Sequence, residues 1–91
     1  MQAYGLLPVV ATPVISPSSE SFQSSLQISM SDSTSGAVIH YTLDGSTPTQ
    51  THGNVYKMPF TITASKTVQA VAVAPQSANS EVASETYTRE P

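Results

Sequence analysis

Residues His40 to His52, HYTLDGSTPTQTH, bring two histidines, an aspartate, a serine and four threonines together. Serine, histidine and aspartate are the parts of a nucleophilic triad. A triad needs an exposed nucleophile beside a base, and a buried acid that orients the base. His40 and Asp44 stand four residues apart, about 13 Å along an extended strand, so they do not pair directly. His52 can approach Asp44 only across a loop, and no oxyanion-forming glycine motif accompanies any of the fifteen serines. As a turn, the same residues are fully accounted for. The Asp44 carboxylate accepts from backbone N–H groups two or so residues on, and Gly45 supplies a positive φ without a Cβ penalty. Ser46 and Thr47 add hydroxyl bonds, and Pro48 stops the strand. Asp44, Gly45 and Pro48 are therefore expected to form a turn that ends a strand.

Other chemistries are thinner still. Paired carboxylates for glycoside cleavage would have to come from Glu20, Asp32, Asp44, Glu81, Glu85 or Glu90, and a domain this small offers no deep cleft to hold a sugar between them. Calcium could draw on Asp32, Asp44 and neighbouring hydroxyls, but the dense acidic run of a calcium loop is missing. His40 and His52 have no partners at metal-ligand spacing. The expectation is no catalytic residue, no metal and no cofactor.

The elements that must position these residues follow from periodicity. Leu26, Ile28 and Met30 alternate with polar residues, as do Ala37, Ile39, Tyr41 and Leu43 against Val38, His40 and Thr42. Phe60 and Ile62 repeat the pattern, and 67–74 is a run of valine and alanine. Turn chemistry fills the gaps at 31–36, 44–48, 51–54 and 75–79. With 12–16, 55–58 and 80–88 added, about seven short strands are expected. That number in under 100 residues predicts an all-β, immunoglobulin-like antiparallel sandwich.

Pro13, Pro17 and Pro59 cannot donate to a ladder, so the first strand and the one near Pro59 belong at sheet edges or begin there. The proline-free runs 37–43 and 67–74 should be central. Their core faces are Ile39, Tyr41 and Leu43, and Val68, Ala70 and Ala72, with small alanines leaving room for the Tyr41 ring. Val82 and Tyr87 have opposite parity, so burying both would require a bulge. The sandwich is expected over 12–88, with 1–11 a linker and 89–91 a tail.

Composition narrows the partners. The chain has 91 residues, no cysteine and a net charge of −3, with Lys57, Lys66 and Arg89 its only basic side chains besides the histidines. No disulfide holds it together, and scattered base does not make a nucleic-acid or anionic-membrane footprint. The opening MQAYGLLPVVA lacks the positive region of a secretory signal.

Two surface readings remain. Sugar binding needs exposed aromatic faces, and there is no tryptophan. Tyr41 and Tyr87 fall on core positions and Tyr4 in the linker, leaving Tyr56, with His40 and His52 near it in sequence, as the candidate ligand contact. The second reading is a docking stripe of Val38, Val71 and Val73, facing out from neighbouring strands. Strands also simply favour valine, even on the outside.

The succession ATPVISPSSESF, LQISMSDSTSGAVIHYTLDGSTPT, VYKMPFTITASKTVQAVAVA and SEVASETYT resembles the C-terminal domain of chitobiase and β-hexosaminidase over about residues 11–88. It departs from the family pattern at Glu20, where glycine is usual, and at His40, where tyrosine is frequent. The resemblance implies an immunoglobulin-like sandwich appended to extracellular bacterial hydrolases or adhesion-like proteins. It also implies a non-catalytic accessory module, a spacer or docking domain, monomeric in isolation. Its partners would be neighbouring domains of a parent chain, with polysaccharide as the alternative, at an extracellular or cell-surface location.

Overall fold

The computed structural model describes residues 8–91, and the chain over them is all β. Eight strands form: β1 (Val14–Ser16), β2 (Glu20–Phe22), β3 (Leu26–Ser31), β4 (Val38–Thr42), β5 (Asn54–Val55), β6 (Phe60–Ile62), β7 (Lys66–Val73) and β8 (Ala83–Arg89). They make two sheets packed as a sandwich, ordered β1-β3-β6 and β2-β8-β7-β4-β5. Prolines fall where a missing donor is harmless. Pro13 precedes edge strand β1, and Pro59 precedes edge strand β6.

The core comes from strand alternation on the inner faces. Ile28 and Met30 of β3, Ile39 of β4, Ile62 of β6, Val68, Ala70 and Ala72 of β7 and Tyr87 of β8 are buried together. Burying each large aliphatic side chain contributes about 1.5–3 kcal/mol, before the conformational entropy that opposes it. Tyr41 sits directly across the ladder from Ala70, so the methyl-sized neighbour does leave space for the ring. Tyr41 and Leu43 are partly buried against this core, as their parity requires.

The structure departs from expectation in two places, and it settles the Val82 and Tyr87 parity without a bulge. An eighth strand, β2, forms in Ser-rich sequence outside the expected strands, and it pairs parallel with β8 (Glu20↔Tyr87 to Phe22↔Arg89), whereas the other paired strands are antiparallel. Its single apolar side chain, Phe22, is buried, which is enough to seat three residues on a sheet edge. No bulge interrupts β8. Val82 lies outside the strand and is 39% exposed, so only Tyr87 needs the inward parity. The segment read as linker also enters the core through Val10, which is buried while its N–H bonds the Ala78 carbonyl at 3.1 Å. The Tyr4 reading lies outside the described residues.

Candidate functional site

The Asp-Gly stretch forms a compact knot at the end of β4. Asp44 Oδ1 accepts the Ser46 backbone N–H at 3.0 Å and the Ser46 hydroxyl at 2.6 Å. Gly45 takes φ +80°, the left-handed conformation expected of it, and Pro48 is fully buried beneath the loop. Thr42 donates its hydroxyl to the Ser46 carbonyl at 2.6 Å, tying the loop back onto the strand. Beyond Pro48, Thr49 and His52 exchange backbone bonds of 2.9 and 3.2 Å, closing a tight reversal. That reversal returns His52 to the knot. His52 Nε2 lies 3.0 Å from Ser46 Oγ.

Serine, histidine and aspartate are thus brought together after all, at the rim of an open depression of about 400 Å³ lined also by Tyr41, Thr42, Gly53 and Asn54. Their order is Asp–Ser–His. Ser46 has one hydroxyl proton and donates it to Asp44, so its oxygen can only accept from an N–H on His52. A nucleophilic serine requires the reverse, donating to a histidine that the acid orients. The Ser46 hydroxyl and backbone N–H, in that order, hold the Asp44 carboxyl below its ordinary value, and His52 adds in the same direction. The carboxylate is therefore a stable acceptor for a turn. Substituting Gly45→Ala should lower stability by about 1 kcal/mol through the positive φ alone, because a Cβ there meets nothing closer than Thr67 Cβ at 3.9 Å. Chemical denaturation of the two proteins measures it.

The candidate ligand contacts are separated. Tyr56 donates its N–H to the Ile39 carbonyl at 2.8 Å, and its ring packs on the inner side. There Tyr41 and Phe60 stack at 4.8 Å with a 10° tilt, and Tyr56 meets each edge-on at 6.4 Å. These rings spend their faces on one another. His40 sits on the opposite face of β4, across from Val55 and Val71, and His52 belongs to the loop knot. Asp32 and Asp44 lie at opposite ends of β4, which removes the convergence a calcium site would need. Asp32 Oδ1 accepts the Thr34 N–H at 2.8 Å while its Oδ2 is buried without a partner. Among the described residues, no three acidic or histidine side chains converge.

The valine stripe exists as a register: Val38 pairs with Val73, and Val71 lies across from His40 on the same outer face. Val38 is 43% exposed, but Val71, expected in the open, is 3% exposed. It stands on β7, the middle strand of the five-stranded sheet, and lies outside the core cluster.

Sequence reasoning missed a polar clasp at the far end. Ser19 donates its N–H and hydroxyl to Glu85 Oε1 at 2.7 and 2.6 Å, and accepts the Thr86 N–H at 2.8 Å. Tyr87 adds a bond from its hydroxyl to the Pro17 carbonyl at 2.5 Å. Partners some seventy positions apart leave no local signal. Only the buried parity of Tyr87 pointed there.

The family model described as chitobiase/beta-hexosaminidase C-terminal domain matches residues 17–86. The chain belongs to that family. The match begins at the Pro17 that Tyr87 holds and ends within β8, so β1 and Val10 pack onto the chitobiase/β-hexosaminidase C-terminal domain from outside the matched span. No curated protein and no solved structure matches the chain.

Proposed function

We propose that this chitobiase/β-hexosaminidase C-terminal domain is a non-catalytic accessory module, a spacer or docking domain of a larger secreted bacterial protein that acts on or is associated with carbohydrate. The observation that carries the reading is the wiring of Asp44, Ser46 and His52. Among the described residues this is where the chain assembles nucleophile, base and acid, and it uses them to close a turn. The family adds the context of a hydrolase-associated domain. Few charges and abundant serine and threonine give the exterior of a module carried outside the cell, with neighbouring domains of the parent chain as its partners.

The test is hydrolysis. The purified domain should release no more product from chitooligosaccharides or aryl glycosides than a buffer blank, and Ser46→Ala should change nothing. Turnover that Ser46→Ala abolishes would overturn the proposal. Amide shifts on titration with the same sugars would instead make it a binding module.

A further inference from the structure

Asp-Gly is the dipeptide in which a side-chain carboxyl meets an unhindered backbone nitrogen, because glycine carries no Cβ to crowd the approach. The chain has one such pair, Asp44–Gly45, and both residues are exposed. The flank of that nitrogen is open, since even a Cβ on Gly45 would meet nothing closer than Thr67 Cβ at 3.9 Å. Asp44 also lines the open depression of about 400 Å³, so water reaches it.

A pair so placed can close on itself. The Gly45 nitrogen attacks Asp44 Cγ, an N–Cγ bond forms and the Cγ–O bond of the neutral acid breaks. The departing oxygen leaves as water, carrying the acid proton and the amide proton. One water then opens the five-membered imide: addition at Cγ restores aspartate, and addition at the main-chain carbonyl gives isoaspartate.

The knot opposes the first step. Asp44 Oδ1 accepts the Ser46 hydroxyl at 2.6 Å and the Ser46 N–H at 3.0 Å, so the carboxyl must leave two charge-assisted bonds before it turns onto Gly45. The same hydroxyl, then the N–H, hold the carboxyl below its ordinary value, which keeps the electrophilic neutral acid scarce. Thr42 restrains the loop as well, through its 2.6 Å bond to the Ser46 carbonyl.

We propose that Asp44–Gly45 is a site of spontaneous covalent modification, isomerising through a cyclic imide to isoaspartate, and that the Ser46 hydroxyl holds the reaction back. The product routes the main chain through the former side chain, one carbon longer. Ser46 then loses its acceptor, and the loop that returns His52 to within 3.0 Å of Ser46 Oγ comes loose at the end of β4. The inference stands apart from the accessory role, and neither falls with the other.

Peptide mapping by mass spectrometry tests it, on the full chain and on Ser46→Ala after days in warm neutral buffer. The imide is lighter by one water, and isoaspartyl peptides separate chromatographically from aspartyl peptides of equal mass. Asp32–Ser33 is the internal reference, a carboxylate that accepts the Thr34 N–H at 2.8 Å in another loop. Ser46→Ala should raise the rate at Asp44 several-fold and leave Asp32 unchanged, and adding Gly45→Ala should cancel the rise. Equal rates in parent and Ser46→Ala would overturn the proposal. So would a slower variant, the sign of a hydroxyl that polarises the carboxyl, or a parallel rise at Asp32, the sign of general unfolding. The denatured parent sets the upper rate, and an Asp44 that stays intact there would overturn the site itself.

Discussion

Substituting Gly53→Ala should cost about 2–4 kcal/mol, several times the cost of Gly45→Ala, although both glycines have positive φ in the same loop. Gly53 holds φ +117°, and a Cβ built there lies 2.8 Å from the Tyr41 carbonyl oxygen, with the Tyr41 C and N at 3.3 and 3.4 Å. The obstacle is backbone. Tyr41 is fixed by its pairing with Ala70 on one side and Asn54 on the other, so it cannot yield without loosening two ladders. Strain and overpacking therefore add at Gly53, whereas Gly45 bears strain alone. The loss should be visible in denaturant midpoints, and the Tyr41–Phe60 stack beside it should register the shift in near-ultraviolet circular dichroism. Equal costs at the two glycines would mean that the loop does not press on β4.

This contrast marks how far the sequence could be read. Gly45 was legible because Asp-Gly after an alternating strand is a local signal, completed within a few residues. Gly53 was not, because its constraint comes from a strand twelve positions earlier that happens to pass beneath it. The same division runs through the sandwich. The inward faces of β4 and β7 follow from period-two alternation, and the room for the Tyr41 ring from the small alanines of β7, whereas the register that sets Tyr41 across from Ala70 has no local signal. β2 escaped because three residues with one apolar side chain have no period, and a parallel pairing with β8 has no sequence signature. Val71 shares the parity of Val73, yet it is 3% exposed, which alternation along one strand does not reveal. At the site, proximity of His52 to Ser46 depended on the Thr49–His52 reversal, and the direction of the hydroxyl proton depended on Asp44 being nearer.

The clasp explains how such a short chain keeps an irregular edge strand in place. β2 contributes three residues and β1 another three, each too short to persist alone. Ser19 and Pro17, between them, are held by Glu85 and Tyr87 of β8, and the Glu90 N–H bonds the Phe22 carbonyl at 2.7 Å. Both sheets are therefore fastened at one end by the last strand.

Tyr87→Ala should be the most damaging single change, removing about 3–5 kcal/mol from a domain whose whole stability is expected within about 5–15 kcal/mol. Its side chain is fully buried and fills the core where both sheets meet the clasp. Tyr87→Phe separates packing from polarity: the ring stays, the Pro17 carbonyl loses its donor, and about 1–2 kcal/mol should go. The phenol also imposes a pH dependence. Burial first, then the carboxylates of Glu85 and Glu20, push its pKa up to about 12 from the ordinary 10. Below pH 10 both folded and unfolded chains keep the proton and the stabilisation is complete. Between pH 10 and 12 the unfolded chain ionises while the folded one does not, so stability falls as pH rises. Denaturant titrations at pH 9 and pH 11.5 should show a steeper loss in the parent than in Tyr87→Phe. Identical slopes would place the Tyr87 hydroxyl in water and undo the clasp.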